Sequence, residues 1–281
     1  MASRVMVLRG YGFNCEEETA AAYRAAGAEP VIVFASDWFA GKATLREFDM
    51  LHVPGGFSFG DDLGSGQVFA NRLKQGKFPS GERVWTEVER FIADAGTIVG
   101  VCNGFQVLVR AGLLPNLGGS FAQEASLAAN LSGHFEDRWV RCAPSGLGKQ
   151  RFGANPFDLP VRHGEGRLVF GSPQIRAEVH ERGLLGLRYV DAAGEPASAY
   201  PENPNGADDA GAGLFSADGR VFGLMPHPEA YLSPFNHPAW PSRVRAGTLK
   251  PDDESDGLRF VKALLSTKSA PRAAEASAQR T

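Results

Sequence analysis

The chain has 281 residues, 43% of them hydrophobic and 22% charged, with a formal net charge of -3. That balance suits a protein with a substantial buried core, and it supplies no basic field for gathering nucleic acid or anionic lipid. Three cysteines, at 15, 102 and 142, are too few and odd in number for a disulfide framework.

The first ten residues hold too short an apolar run for a signal peptide, and no later stretch reaches the roughly 20 apolar residues of a membrane span. The expectation is a cytoplasmic protein whose partners include neither nucleic acid nor membrane. In chain order, residues 5–8 predict a strand, Gly10-Tyr11-Gly12 a loop, and residues 16–26 a helix that ends at Gly27. Residues 30–34 predict a second strand, and residues 50–53 a third that stops at Pro54-Gly55-Gly56. Residues 84–93 read as a helix, and residues 97–101 as the fully apolar strand of a parallel sheet. Strands separated by helices imply an α/β fold with a mostly parallel central sheet flanked by helices.

Beyond Gly112, short strands at 139–142, 166–170, 187–190 and 221–224 predict a smaller antiparallel flank on the same core. Residues 201–213, dense in Pro, Asn, Gly and Asp, read as an ordered loop or a lid. The whole reads as a single domain over 1–265, followed by a frayed tail at 266–281.

The chemistry concentrates where the strand at 97–101 runs into Gly100-Val101-Cys102-Asn103-Gly104 and then into an apolar helix. This is a nucleophile elbow with cysteine in the place of serine. The two glycines allow a sharp turn that lifts Cys102 above the sheet. A helix N-terminus, with an imidazolium nearby, lowers the thiol from its free value of about 8.5. The backbone N–H of Asn103 is positioned to stabilise an oxyanion. Cys15 and Cys142 lack this setting and read as small buried hydrophobes.

A thiol nucleophile needs a base and an orienter, and Pro226-His227-Pro228-Glu229 offers both. The two prolines hold the segment extended, so His227 and Glu229 project to the same face and can touch. The other histidines are weaker candidates: His52 at a strand end, His180 in a polar stretch, and His134, His163 and His237 in loops. His163, within His163-Gly164-Glu165-Gly166-Arg167, stands in reserve. Pro54-Gly55-Gly56-Phe57 follows a strand end, so Gly56 is the expected second donor of the oxyanion hole. No clustered pattern of His and Cys suggests a metal.

Together these residues resemble the class I, triad-type glutamine amidotransferases, a flavodoxin-like family. Within it the likeness is greatest to the glutaminase subunit of phosphoribosylformylglycinamidine synthase. It is carried by Gly55-Gly56-Phe57-Ser58-Phe59-Gly60-Asp61, Gly100-Val101-Cys102-Asn103-Gly104-Phe105-Gln106, Arg138-Trp139-Val140, His163-Gly164-Glu165-Gly166-Arg167, Tyr200-Pro201-Glu202-Asn203-Pro204-Asn205-Gly206 and Leu224-Met225-Pro226-His227-Pro228-Glu229. Two departures stand out: Ala230 occupies a position where arginine commonly follows His-Pro-Glu, and residues 231–250 read as an insertion.

The resemblance implies glutamine as substrate, Cys102, His227 and Glu229 as the catalytic triad, and Gly55, Phe57 and Gln106 as substrate-binding residues. It also implies a synthase subunit that consumes the ammonia, with or without a small accessory subunit. The chain itself is expected to hold no cofactor, and ATP and Mg2+ to belong to the synthase. The competing readings are a stand-alone cysteine hydrolase acting on γ-glutamyl or peptide bonds, and a non-catalytic subunit of the same fold.

Overall fold

The structure, a computed structural model, describes residues 2–266. Its strands are β1 (Arg4–Arg9), β2 (Glu29–Phe34), β3 (Met50–Val53), β4 (Thr97–Val101), β5 (Ala125–Ala128), β6 (Glu136–Pro144), β7 (Phe157–His163), β8 (Arg167–Phe170), β9 (Leu185–Tyr189), β10 (Gly211–Phe215) and β11 (Val221–Leu224). The helices are α1 (Glu16–Ala25), α2 (Ala35–Phe39), α3 (Gln67–Gln75), α4 (Val84–Ala93), α5 (Asn103–Arg110), α6 (Leu147–Phe152), α7 (Pro173–Glu181), α8 (Trp240–Arg245) and α9 (Asp256–Leu265).

Nine strands form one sheet in the order β2-β1-β3-β4-β11-β10-β9-β6-β7. The half from β2 to β11 is parallel, and the pairs from β11 to β7 are antiparallel. Every residue of β3, β4 and β11 is buried, which is why their sequences are apolar runs without alternation. Helices cover this centre with narrow apolar stripes; α4, for instance, buries Val84, Trp85, Val88 and Phe91. Ser172 caps α7 by accepting from the Ile175 N–H. Among the described residues, no helix is long and apolar enough to cross a membrane.

The sheet brings together two strand ends that lie far apart in sequence. β4 and β11 are parallel neighbours in the register Gly100↔Gly223 and Val101↔Leu224. Their carboxyl ends therefore open at the same edge of the sheet, where open α/β folds bind ligands.

Several expectations need correction. The polar run expected as a loop or lid over 201–213 ends in a buried strand, because β10 opens at Gly211 with small residues that carry no strand signature. β7 was not expected, since Pro160 interrupts its apolar pattern; it is the edge strand, where a missing N–H is tolerated. His163, assigned to a loop, is the last residue of β7 and buried. The strand expected at 166–170 forms at Arg167–Phe170, but it pairs with β5 in a separate two-stranded ribbon. Of the expected tail, all but Ser266 lies outside the described residues.

Candidate active site

Cys102 sits between β4 and α5 with φ 50° and ψ −105°, a region that a side chain with a Cβ rarely occupies. The neighbours explain how the turn is held. A Cβ on Gly104 would lie 1.8 Å from the Val53 carbonyl oxygen, and one on Gly100 would lie 2.6 Å from the Gly104 backbone. Only glycine at these positions lets the elbow close against β3, and the resulting strain marks a functional turn. The Cys102 thiol is buried and donates to the Arg162 carbonyl of β7 at 3.5 Å.

His227 lies three residues beyond the end of β11. Its N–H donates to the Pro160 carbonyl at 2.8 Å, so the free edge of β7 fixes the backbone of the base. The extended run expected through Glu229 stops at His227, because Pro228–Ala230 turn as a short 3-10 helix. Pro228 starts that turn, its missing N–H being one the helix leaves unpaired in any case. The contact still forms: His227 Nδ1 and Glu229 Oε1 are 2.6 Å apart with both side chains buried.

Burial opposes a charge on His227, but Glu229 and then the Cys102 thiol outweigh it and hold the imidazole well above the ordinary histidine range. Burial would likewise raise Glu229, yet His227 draws the carboxyl below its usual value. The pair is therefore set up as imidazolium and carboxylate. His227 Nε2, the nitrogen left over from that contact, is buried and has no hydrogen-bond partner among the described residues. An imidazolium N–H left with a proton to deliver shows this pattern.

The glycine loop beside the elbow is fixed from two directions. The Gly55 carbonyl accepts from the N–H groups of Asn14 and Cys15, and the Phe57 N–H donates to Gly12. The Gly10-Tyr11-Gly12 turn is thus the backing of this loop, a role its sequence did not suggest. From the other side, Asn103 Oδ1 accepts from the Ser58 N–H at 3.0 Å, and Asn103 Nδ2 donates to Asp61 and to Gln106. The N–H groups of Gly56 and Asn103 have no protein acceptor among the described residues, so both are free to meet an oxyanion.

Two expected substrate residues take different positions. Phe57 is 48% exposed, its ring 6.5 Å from that of Phe135. Gln106 is buried and uses both ends of its amide internally, donating to the Glu165 carbonyl at 2.5 Å and accepting from Asn103 at 2.9 Å. Gln106 thereby joins the helix after the elbow to the segment after His163. His163 itself is 3.2 Å from Asn130 Oδ1, and burial, aided by the charge on His227, lowers it to about 3. It is held neutral, and its ring bonds to Asn130 rather than to Cys102, His227 or Glu229.

Sequence reading missed Cys15, treated as a bland hydrophobe. It is buried, as expected, but it lies beside the base: its Sγ, a His227 ring nitrogen and a Glu229 oxygen all fall within 4.8 Å of one another. The sequence showed no metal-type cluster because the fold assembles these three from the loop before α1 and the turn after β11. Asn130, which accepts from Gly166 and donates to His163 O, was also missed. Residues 231–250 form a 3-10 turn and α8; Arg243 of α8 pairs with Asp158 of β7.

The chain is similar over most of its length to known proteins. The phosphoribosylformylglycinamidine synthase subunit PurQ of Methanococcus maripaludis is 37% identical over 266 residues, covering 92% of this chain and 95% of that protein. The PurQ subunit of Dehalococcoides mccartyi is 39% identical over 261 residues, covering 92% and 94%. The structure of PurLQS from Thermotoga maritima aligns with a TM-score of 0.66 at 26% identity, covering 94% of this chain and 98% of that one. Residues 2–259 match the CobB/CobQ-like glutamine amidotransferase domain, and the chain belongs to that family.

Proposed function

We propose that this chain is the glutaminase subunit of a phosphoribosylformylglycinamidine synthase, hydrolysing glutamine to glutamate and ammonia for a synthase partner in de novo purine biosynthesis. The observation that carries the proposal is the pairing of β4 with β11, which sets the strained Cys102 elbow beside a buried His227–Glu229 pair. Relatives that carry the PurQ subunit name cover nearly the whole chain, which favours a partnered enzyme over a stand-alone hydrolase.

In this mechanism the Cys102 thiolate attacks the side-chain amide carbon of glutamine, and the C–N bond breaks as His227 gives its proton to the departing ammonia. Water then gives a proton to His227 and attacks the γ-glutamyl thioester, the intermediate expels the Cys102 thiolate, and the acid formed loses its proton to solvent as glutamate. Glu229 orients the imidazole and stabilises its charged form throughout. The Gly56 and Asn103 N–H groups hold the oxyanion of both tetrahedral intermediates. Gly55 and Phe57 border the glutamine pocket, and Gln106 braces its wall. ATP and Mg2+ serve the synthase, and the chain acts in the cytoplasm.

A glutamine analogue bearing an electrophilic ketone at the γ-carbonyl position tests the assignment by peptide mapping. Labelling at neutral pH is expected on Cys102, with Cys15 and Cys142 spared. Label found mainly on either of the other two cysteines would remove Cys102 as nucleophile.

A further inference from the structure

Cys15 is a second thiol at the triad for which hydrolysis has no use. It stands at the N-terminus of α1 and is 7% exposed. The glycine loop presses it against the base: a Cβ on Gly55 would lie 3.1 Å from Cys15 Sγ and 2.8 Å from His227 Cε1. Two further atoms of the same group, His227 Nε2 and Glu229 Oε2, are buried without hydrogen-bond partners.

Thiolate, imidazole and carboxylate are the three ligand types that zinc takes from proteins. Zinc–sulfur bonds of ~2.3 Å and zinc–nitrogen or zinc–oxygen bonds of ~2.0–2.2 Å place tetrahedral ligand atoms roughly 3.3–3.8 Å apart. With Cys15, His227 and Glu229 offering atoms within 4.8 Å of one another, closure around an ion takes side-chain shifts of about 1 Å, within reach of small rotamer changes.

We propose that Cys15, His227 and Glu229 form an inhibitory site for Zn2+, which switches the glutaminase off by occupying its base. Coordination releases to solvent both the Cys15 thiol proton and the proton on the His227 nitrogen that binds the ion, and water fills the fourth position. Through either ring nitrogen, the ion removes the lone pair or the hydrogen-bond geometry with which His227 serves Cys102. The inhibitory consequence rests on the triad reading above; the binding itself does not. Cys102 is not a ligand, so nucleophile and metal site separate by mutation.

The test titrates ZnCl2 into the full-length chain by calorimetry and, in parallel, into a glutamine hydrolysis assay of the chain with its synthase partner. Wild type and Cys102→Ala are expected to bind one Zn2+ per chain. Cys15→Ala and the near-isosteric Cys15→Ser lose affinity by at least about tenfold, since even outer-sphere partners of a metal carry that much. Normalised to each variant's own zinc-free rate, the inhibitory Zn2+ concentration rises by the same factor. Co2+ replacing Zn2+ gives a thiolate-to-metal charge-transfer band in Cys102→Ala, a readout that needs no Cys15 variant to fold. Zinc binding unchanged in both Cys15 variants, or a missing cobalt–thiolate band in Cys102→Ala, would overturn the site. Failure of hydrolysis with zinc binding intact would count against the triad and leave the site standing.

Discussion

The two adjacent strands that deliver the proposed triad end in different ways. β4 runs into a one-residue elbow whose signal lies within five residues, in the positive φ of Cys102 and the glycines at 100 and 104, the second of which closes against the Val53 carbonyl of β3. β11 runs into Pro226-His227-Pro228-Glu229, which is held from outside: by the Pro160 carbonyl of β7, by α9 against Pro228–Ala230, and by Cys15 and the glycine loop. The turn that presents Cys102 is thus encoded locally in the sequence, whereas the position of His227 is set by distant parts of the chain. Damage to the first should be abrupt, and the second should be open to adjustment from a distance.

The largest effect short of losing the nucleophile is expected from Glu229→Gln. The amide keeps the shape and loses the charge that sets the His227 tautomer, which in serine triads costs about 10⁴ in kcat. Steady-state hydrolysis checks this, and a rate within tenfold of wild type would take Glu229 out of the triad.

Glycine substitutions sharpen the contrast between the two sides. In Gly104→Ala the new Cβ meets the Val53 carbonyl oxygen, displaces the elbow, and is expected to slow hydrolysis about 100-fold. In Gly257→Ala the new Cβ meets the carbonyl oxygens of Pro228 and Tyr231, both at 2.3 Å. That substitution shifts only the outer support of the base, so a loss of about tenfold is expected, alongside a stability loss of about 1–3 kcal/mol from overpacking. A larger activity loss in Gly257→Ala than in Gly104→Ala would reverse the comparison.

The smallest effect concerns acid stability. Burial lowers His163 to about 3, helped by the charge on His227, and lowers His52 to about 4 despite the opposing Glu229. Both folded values lie below the unfolded value of about 6.5. Their contribution is therefore fully present above that pH and is lost as pH falls toward about 4 and about 3. Melting temperatures between pH 6.5 and 4 should fall for wild type and fall less steeply for His163→Gln. Parallel slopes would mean that His163 is not buried as a neutral group.

How much was legible in the sequence follows the same division. The parallel half announced itself because its strands are unbroken apolar runs separated by helical segments; β3, β4, α4 and β11 were read at their observed bounds. The elbow was legible because glycine spacing encodes its turn. β7, β10 and the setting of Cys15 were not, because nothing local encodes them. Pro160 is acceptable only because β7 is an edge strand, Gly211 is strand only because β9 and β11 flank it, and Cys15 matters only because the glycine loop folds over it. The contact between His227 and Glu229 was anticipated, but the extended backbone assumed for it proved to be a 3-10 turn.

The central claim is that Cys102 opens the amide of glutamine and has no part in the later use of ammonia. The direct measurement is synthesis by the Cys102→Ala chain reconstituted with its synthase partner, supplied with glutamine or with an ammonium salt at raised pH. Glutamine-dependent synthesis is expected to disappear while ammonium-dependent synthesis stays close to wild type. Retention of glutamine-dependent synthesis, or loss of both in a properly assembled complex, would contradict that claim.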